Sequence, residues 1–379
     1  MLPCYQNGNV GNIGNMVTLV TQMCRTYFFP NFLEVRIIVY KFGHKNLFGM
    51  IEVRLPDTKQ RRLPYYLSLE EWVATNLPPD DYIFAWRVPP TVICGRNQDM
   101  PLEVNLSYCR ANGIDVVRRR SGGGCVYADM NNYMFSYITA GNDVEANFAR
   151  YAAITAEMLR SLGLRAEASG RNDIHVDGAK IAGNAFYLVN GRSIAHGTML
   201  FDVDNERMLN AITPSRAKLQ SKAVQSVQKR VTCLRTLGID MSVEEFGKYA
   251  IDYFTGGKSI TLTERQQAEL DAIEKRYYSA EFLYGRLRSK ENDSLIRHFS
   301  RIDGVGEFYA ETELAPDRTI AAFLLSGDFF FIGDITDRIE KQMVGCPYDR
   351  QAVLERLREI NPGEIIMGAT PEALVEIII

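Results

Sequence analysis

The most suggestive chemistry in this sequence lies in a run of basic and glycine residues. Three arginines at positions 118 to 120 are followed by Ser121, by Gly122, Gly123 and Gly124, and then by Cys125. Successive glycines let backbone N–H groups converge on one ligand, and arginines add charge-assisted contacts. The run therefore predicts a cradle for a phosphate or a carboxylate. From this run alone, a flexible hairpin beside a solvated basic cluster is an equally good interpretation.

A second set of polar residues follows between positions 170 and 198. Lys180 lies among small residues, Asn172 and Asp173 precede it, and His196 comes after it. A lysine in such surroundings can contact a carboxylate and an α-phosphate together and neutralise the charge that develops when one attacks the other. Asp173 is a candidate Mg²⁺ ligand, because magnesium is usually held by one or two carboxylates and substrate phosphates. Taken singly, an exposed lysine, a turn aspartate and a buried core histidine are the commoner roles.

Widespread signatures of nucleotide and metal chemistry are absent from the sequence. The Lys180 segment lacks the upstream glycine and the following Ser or Thr of a Walker loop, and no GxGxxG follows a strand pattern. The four histidines have no metal-ligand spacing, and no GxSxG elbow is present. We therefore do not expect a common kinase or dehydrogenase site, or a catalytic zinc.

The elements that must position these residues alternate between strand and helix patterns. A capping box at Ser68 predicts the start of a helix that runs to about Leu77. Helices are also predicted at 102–111 and 144–162, and strands at 51–55, 82–86, 91–94, 115–118, 174–176, 181–189 and 193–201. This alternation is typical of the α/β and α+β classes.

Two changes of pattern predict the domain boundaries. The first 49 residues carry Asn-Gly turn signals without a clear amphipathic element, and a sharper pattern begins at Met50. Gly256 and Gly257 mark a hinge, and a capping box at Thr261 to Glu264 follows it. We predict an N-terminal extension of uncertain structure at 1–49, a catalytic domain at 50–258 and a small α+β accessory domain at 259–379.

Composition narrows the function classes. The chain has 379 residues, of which 46% are hydrophobic and 23% charged, and this is a globular composition. A net charge of −3 gives no basic field, so we do not expect a nucleic-acid partner. No stretch fits a membrane-spanning helix, and seven cysteines without a CxxC pair are typical of reduced thiols. We therefore expect a cytoplasmic protein without a membrane partner.

Four motifs in order closely resemble those of the lipoate-protein ligases. The family pattern of paired arginines, Ser-Gly-Gly-Gly, an aromatic strand and an asparagine is matched from Arg118 to Asn132. Gly-Arg-Asn-Asp stands at 170–173, Lys-Ile-x-Gly-x-Ala at 180–185 and His-Gly-Thr-x-Leu at 196–200. The resemblance covers roughly residues 50 to 255 and continues more weakly through 284–285, 327–330 and 345–348. It implies an α+β fold, with a biotin/lipoyl-ligase-like catalytic domain of mixed β-sheets flanked by helices and a small α+β C-terminal accessory domain.

This resemblance implies a two-step reaction. ATP and lipoate give lipoyl-AMP and pyrophosphate, and a lysine of a lipoyl domain then attacks the mixed anhydride. The implied partners are lipoyl domains of 2-oxoacid dehydrogenase E2 subunits, the glycine-cleavage H protein, or both. The implied cofactors are ATP and Mg²⁺, with Lys180 catalytic and Asp173 on the metal. The implied lipoate-binding residues are Arg119, Ser121, Gly122, Gly123, Gly124, Cys125 and His196, and the implied ATP-binding residues are Val126, Tyr127, Asn132, Asn172 and Lys180.

The main alternative is an octanoyl or lipoyl transferase that acts without ATP through a cysteine nucleophile. Where one such group has its cysteine, this chain reads Thr213-Pro214-Ser215, and Cys125 stands where the ligases usually have alanine. We therefore interpret Cys125 as a small packing residue. A non-enzymatic lipoyl-domain binding protein and a biotin ligase are further alternatives, but the chain lacks the Gly-Arg loop of biotin ligases. Ala128 and Ala280 depart from the His and Trp that relatives commonly have there.

Overall fold

The computed structural model describes residues 49–169, 172–212, 231–284 and 295–379. Several sequence-based expectations fall outside these residues: the N-terminal extension up to residue 48, Gly170 and Arg171 of the second motif, and positions 213–215. Within the described parts, no helix is both long and apolar enough to cross a membrane.

The described strands and helices follow the alternation that the sequence predicts. In chain order the strands are β1 (Ile51–Arg54), β2 (Tyr82–Trp86), β3 (Thr91–Cys94), β4 (Asp115–Arg118), β5 (Val126–Ala128), β6 (Tyr133–Ile138), β7 (Ala166–Ser169), β8 (Asp173–Val176), β9 (Ala179–Val189), β10 (Arg192–Met199), β11 (Ser259–Thr261), β12 (Ile296–Ile302), β13 (Gly306–Leu314) and β14 (Ile320–Gly327). The helices are α1 (Leu63–Asn76), α2 (Met100–Glu103), α3 (Leu106–Ala111), α4 (Val144–Ser161), α5 (Asn205–Ala211), α6 (Val243–Thr255), α7 (Glu264–Ala268), α8 (Leu270–Tyr277), α9 (Ala280–Tyr284), α10 (Lys341–Met343), α11 (Arg350–Ile360) and α12 (Pro371–Ile378). A π-helical turn at Thr336–Glu340 precedes α10, and a 3₁₀ turn at Pro362–Glu364 follows α11.

Three sheets organise the described residues. The largest has eight strands in the order β11-β1-β2-β6-β10-β9-β8-β7, with β1 parallel to both neighbours and the remaining pairs antiparallel. A small sheet, β4-β3-β5, combines one parallel and one antiparallel pair. The third, β12-β13-β14, is antiparallel and packs against the C-terminal helices. Mixed sheets flanked by helices confirm the predicted α+β class.

Helix α1 corrects one sequence-based expectation. It begins at Leu63 rather than at Ser68, and Pro64 lies in its first turn, where a missing N–H breaks no helical hydrogen bond. Ser68 lies inside the helix, and its Oγ donates to the carbonyl oxygen of Pro64 at 2.7 Å, as interior serines often do. The helix is buried from Leu63 to Ala74, so it is a core element whose polar residues face the interior.

The packing does not change at the predicted boundary near residue 258. Strand β11 pairs in parallel with β1 of the large sheet, and α8 packs against α1. Trp72 Nε1 of α1 donates to Glu269 Oε2 at 2.9 Å, and the capping box that begins α7 uses Thr263 and Gln266 rather than Thr261 and Glu264. The change from the large sheet to the third sheet lies between Tyr284 and Ile296, beyond the Gly256 turn that ends α6.

Candidate active site

A cavity opens between α1, the large sheet and the glycine segment. One part of its lining is apolar and includes Leu67, Trp86 and Met134. Another part is polar and includes Lys180 and His196. This mixture of apolar walls with a few polar groups is typical of a site for a small organic ligand.

Arg119 shapes the glycine segment from within. Its guanidinium donates from Nε to Ser121 Oγ at 2.9 Å, from Nη1 to Ile93 O at 2.9 Å, and from Nη2 to Gly122 O at 2.6 Å and Gly124 O at 2.9 Å. Burial lowers the pKa of Arg119 to about 10, so the side chain is still a cation at neutral pH. Most of its hydrogen-bonding capacity is directed at the loop backbone, so Arg119 holds the loop in place.

The glycines are required because the loop is tightly enclosed. A Cβ on Gly95 would lie 1.9 Å from Gly123 O, and a Cβ on Gly122 would lie 2.4 Å from Phe329 O. Gly123 also has a φ of +85°, a conformation that side chains disfavour. The loop is therefore held between the end of β3 and a segment of the C-terminal part.

That C-terminal segment reaches the cavity directly. Gly123 N donates to Phe329 O at 3.1 Å, and Gly327 N donates to Asn97 O at 2.9 Å. The ring of Phe330 lines the cavity and stacks on Phe186 with centroids 5.5 Å apart. Sequence analysis did not select Phe330 as a site residue, although it lies in one of the weaker motifs of the resemblance.

Ser121 and His196 belong to one buried hydrogen-bond network. Ser121 Oγ lies 2.7 Å from His196 Nε2, and His196 Nδ1 lies 3.0 Å from both carboxylate oxygens of Glu70. Glu70 also accepts from Ser136 Oγ at 2.5 Å and from Tyr187 OH at 2.9 Å. Ser121 is fully buried and already accepts a hydrogen bond from Arg119, so this network positions the cavity wall rather than exposing a nucleophile.

Glu70 is a residue that the sequence analysis missed. Its position was interpreted as part of a helix-capping box, whereas the side chain lies inside the helix and is completely buried. A carboxylate buried this deeply requires several donors, and the network supplies three. The sequence feature that could have indicated a buried carboxylate is the pair of adjacent glutamates within an otherwise apolar helical segment.

Lys180 lies on β9 with its ammonium 2.7 Å from Asp173 Oδ1 of β8. A Cβ on Gly183 would lie 2.9 Å from Lys180 Nζ, so glycine at this position leaves room for the ammonium. The lysine side chain keeps 35% of its surface exposed, toward the cavity that it lines. A cation with one carboxylate partner and an open side can also contact a bound anion.

The turn before Asp173 is fixed by a reciprocal amide pair. Asn172 Nδ2 donates to Asn184 O at 3.0 Å, and Asn184 Nδ2 donates to Asn172 O at 3.0 Å. Gly197 on the neighbouring strand has no space for a Cβ, which would lie 1.8 Å from Asn184 Oδ1. This pair brings Asn172 to the cavity lining, and Asn184, which lines it too, was not selected from the sequence.

The structure places the predicted site residues in three groups. Tyr127 and Asn132 are buried away from the lining: Tyr127 packs on the opposite face of the small sheet, and Asn132 holds the turn before β6 through Asp129 and Phe201 N. Ser121 and Gly122 lie behind the wall, and Asp173 lines a neighbouring cavity that shares Asn172. The predicted residues on the lining are Arg119, Gly123, Gly124, Cys125, Val126, Asn172, Lys180 and His196.

The described side chains contain no group of three or more His, Cys, Asp or Glu residues arranged to hold a metal ion. Asp173 is therefore a single carboxylate beside the cavity. Such a group suits an ion that arrives with a phosphate ligand rather than an ion held by protein side chains alone.

Two solved structures share this fold. LipL1 of P. falciparum, determined in complex with lipoate, has a TM-score of 0.69 and 17% identity, and the match covers 86% of this chain and 97% of that one. A bipartite lipoate protein ligase from Thermoplasma acidophilum, studied with its E2 lipoyl domain, has a TM-score of 0.56 and 25% identity, with coverage of 65% and 100%. The fold is thus the one found in lipoate ligases.

Sequence comparison agrees with the fold. A model of the lipoyl protein ligase A/B catalytic domain matches residues 63–255, and a model of the bacterial lipoate protein ligase C-terminus matches residues 305–378. Lipoate–protein ligase 1 of Staphylococcus aureus is 36% identical over 304 residues, which cover 78% of this chain and 90% of that protein. The chain therefore belongs to the lipoate-protein ligase family, which confirms the resemblance in the motifs.

Proposed function

We propose that this protein activates lipoate with ATP to form lipoyl-AMP and then transfers the lipoyl group to a lysine of a lipoyl domain. The observation that carries the proposal is the position of Lys180. Its ammonium lies on the wall of a cavity that also has an apolar part, so one ligand can place an aliphatic chain and an anionic head in the same space.

The apolar lining suits the tail of lipoate. Leu67 of α1, Trp86 of β2 and Met134 of β6 supply contact surface for an aliphatic chain and a sulfur-containing ring. The carboxylate then points toward Lys180, and Val126 and Asn172 lie near enough on the same lining to contact the nucleotide. Tyr127 and Asn132 support this wall through packing and the turn before β6.

The first step joins two anions. A carboxylate oxygen attacks the α-phosphorus, the bond to the β-phosphate oxygen breaks, and pyrophosphate leaves with the electron pair. Lys180 stabilises the negative charge that spreads over the five-coordinate phosphorus. Asp173, whose carboxylate lies beside this lysine, would hold a Mg²⁺ ion that arrives with the triphosphate and neutralises part of its charge.

The second step transfers the acyl group. The neutral amine of the target lysine attacks the carbonyl carbon of lipoyl-AMP, the amide bond forms, and AMP leaves as the anion while the amine loses a proton. In this second step, Lys180 stabilises the carbonyl oxygen of lipoyl-AMP, which gains negative charge as the amine attacks. We further propose that the targets are lipoyl domains of E2 subunits or the H protein, and that the protein works in the cytoplasm.

A cysteine-dependent transferase fits this site less well. The hydrogen bond with Cys94, followed by burial, raises the pKa of Cys125 well above the usual range of a thiol. A transferase nucleophile must be a thiolate, or have a base beside it, and the neighbours of Cys125 Sγ are a second thiol at 3.3 Å and Gln98 Oε1 at 3.2 Å. ATP-dependent activation of the free acid is therefore the better interpretation.

The decisive experiment measures the intact mass of an unmodified lipoyl domain after incubation with the protein. Each of lipoate and octanoate is supplied with ATP and Mg²⁺, and matched reactions omit ATP. We expect the mass of one acyl group to be added when ATP is present and no change without it. Equal acylation from an octanoyl carrier protein in the absence of ATP would contradict the proposal and favour the transferase.

A further inference from the structure

Two cysteines face each other across the small sheet at the end of the glycine segment. In the antiparallel pairing of β3 with β5, Thr91 lies opposite Ala128 and Ile93 opposite Val126. The next pair in the same register is Cys94 with Cys125, and their Sγ atoms are 3.3 Å apart. Directly opposed residues of an antiparallel pair have the short Cβ separation that a disulfide needs.

This contact differs from those of the other described cysteines. Cys109 Sγ lies 3.9 Å from a carbonyl oxygen, Cys233 Sγ lies 3.1 Å from a threonine hydroxyl, and Cys346 Sγ lies 3.5 Å from a carbonyl oxygen. Among the described cysteines, Cys94 and Cys125 thus contact each other through their thiols, whereas the other three contact oxygen atoms. The proposed reaction uses neither thiol as a nucleophile, so this pair has no assigned role in it.

The pair is reachable from the active site. Cys94 is fully buried, whereas Cys125 is partly exposed and lines the cavity. A small disulfide that enters the empty cavity can meet Cys125 first, and the mixed disulfide then has Cys94 as its immediate resolving thiol. Disulfide formation through a mixed disulfide requires one thiol that the oxidant can reach and a second thiol close enough to resolve the intermediate.

We propose that Cys94 and Cys125 are an oxidative modification site that forms a reversible disulfide in the wall of the active site. With oxidised glutathione as the oxidant, Cys125 Sγ attacks one glutathione sulfur and releases one glutathione thiol. Cys94 Sγ then attacks Cys125 Sγ, forms the protein disulfide and releases the second glutathione thiol. Both protein thiols lose their protons, and two electrons pass from the protein to the oxidant.

The disulfide alters the geometry of the glycine segment. The sulfur atoms must approach from 3.3 Å to the roughly 2.0 Å of a disulfide bond. Gly95 next to Cys94 is already packed against Gly123 O, and Arg119 ties Ile93 O to Gly124 O. Because these contacts couple the loop to the end of β3, we expect formation of the bond to shift the loop between Ser121 and Cys125.

The functional consequence rests on the proposed adenylation activity. A shift of about 1 Å in a positioning element can lower a rate by about 100-fold. We expect the oxidised protein to form lipoyl-AMP at least about tenfold more slowly than the reduced protein, with full recovery on reduction. The high pKa of Cys125 makes the exchange slow. The fraction of protein that contains the disulfide therefore follows the prevailing ratio of reduced to oxidised glutathione and does not respond to brief pulses of oxidant.

The test equilibrates the full-length protein with buffers that contain different ratios of reduced to oxidised glutathione. Acid-quenched samples are digested without reduction, and mass spectrometry identifies the linked peptides, while lipoate-dependent pyrophosphate exchange is measured on the same samples. The Cys94→Ala variant, whose residue has no place in the proposed chemistry, removes the resolving thiol. Cys346→Ala, which removes a buried thiol far along the chain in the C-terminal core, is the matched control.

We expect the wild type and Cys346→Ala to lose two hydrogen atoms, to yield the linked Cys94 and Cys125 peptides, and to lose exchange activity that dithiothreitol restores. Cys94→Ala should give no linked peptides and should instead keep one glutathione on Cys125 as a mixed disulfide in the oxidising buffers, because it lacks the resolving thiol. Absence of the linked peptides at all ratios, or a link from Cys94 to Cys109, would overturn the site. A linked protein with undiminished exchange would overturn the control of activity. Because peptide mapping does not depend on ligation, an inactive reduced protein would instead count against the proposed function.

Discussion

At the scale of single residues, the polar end of the cavity depends on one cation with space around it. Within the part of the chain that the structure describes, Lys180 forms its ion pair with Asp173, and the absence of a side chain on Gly183 leaves room for its ammonium. A preorganised charge of this kind lowers an activation barrier because it requires no rearrangement when negative charge develops. The following substitutions test how much of the proposed reaction depends on such contacts.

Replacement of Lys180 by alanine should nearly abolish lipoyl-AMP formation. Loss of one preorganised charge-stabilising donor typically costs roughly 3 to 4 kcal/mol, or about a hundredfold to a thousandfold in rate. Arginine should restore little activity, because its planar fork is wider than the ammonium and Gly183 leaves space only for a compact group. Pyrophosphate exchange with lipoate measures the first step, and transfer from synthetic lipoyl-AMP measures the second.

Lys248→Ala is the matched control for this prediction, because Lys248 is also paired with one aspartate, at 2.8 Å, but lies on the exposed face of α6. It should retain normal exchange. If Lys180→Ala exchanged pyrophosphate at a near-normal rate, the catalytic assignment would fail, and Arg119 would become the leading candidate for the main cation.

Glu70→Gln should destabilise the protein. Ser136 and Tyr187 now donate to different carboxylate oxygens of Glu70, and the glutamine amide would replace one of these two acceptors by an N–H₂ donor. A buried donor left without an acceptor costs about 1 to 3 kcal/mol. Urea unfolding should show this loss of unfolding free energy. Glu244 is the exposed ion-pair partner of Arg87, so Glu244→Gln is the control and should change the free energy of unfolding by less than about 1 kcal/mol. Equal stability of the two variants would contradict the role given to Glu70.

At the scale of elements, the glycine segment is defined by what encloses it. Strand β3 borders it on one side, the segment before Phe331 borders it on another, and the Arg119 guanidinium fills its interior. The loop therefore has few alternative conformations, although its glycine content would allow many. Enclosure converts a flexible sequence into a rigid wall.

Gly95→Ala should displace this wall. The new methyl group would lie 1.9 Å from Gly123 O, so either the loop or the end of β3 must move by about 1 Å, which can cost about 100-fold in rate. We expect lipoate-dependent pyrophosphate exchange to fall by that order, with a smaller effect on unfolding. Gly141→Ala is the control, since a Cβ there meets no atom within 4 Å. Comparable activity of the two variants would show that the wall tolerates displacement.

At the scale of the whole molecule, the catalytic cavity depends on residues that are far apart in the chain. The first described strand pairs with β11, more than two hundred positions later, and Phe330 closes one side of the cavity from the C-terminal part. The two matched family models meet at this cavity. The boundaries of an independently stable catalytic unit therefore require experiments on shortened chains.

A chain started at Met50 should fold and ligate normally. Met50 is fully buried, and the pairing of β1 with β2 begins at Ile51, so this truncation keeps every described strand. Circular dichroism, thermal unfolding and the mass assay with a lipoyl domain should match those of the full-length protein. Loss of soluble, active protein would show that the first 49 residues are required.

Two C-terminal truncations should behave differently. A chain of residues 50–258 lacks β11 and α8, so it leaves β1 and the face of α1 around Trp72 uncovered and should be poorly soluble. A chain of residues 50–284 retains both elements and should be soluble. Both lack Phe330, so both should carry out the two half-reactions more slowly than the full chain. Full-rate catalysis by either fragment would contradict a role for the C-terminal part in closing the cavity.

Local patterns in the sequence determined much of this outcome. The glycine run, Lys180 with its small neighbours, and the alternating strand patterns each depend on residues close together in the chain, so they could be recognised without coordinates. The α+β class and the family were predicted from them, and both were confirmed. Lys180 and Asp173 were both selected from the sequence for their chemistry, and the hairpin of β8 and β9 brings their charged groups within 2.7 Å of each other.

Only the tertiary structure decided which distant residues share the cavity. Glu70 reaches His196 across 126 positions, and Phe330 meets the glycine segment from another sheet. Such contacts arise from the packing of whole elements, and no local periodicity encodes them. The start of α1 was misplaced for the same reason. Ser68 and Glu71 match a capping box in isolation, but burial of the helix from Leu63 to Ala74 turns those polar residues inward. Local sequence thus specified the reactive groups, whereas long-range packing specified their partners.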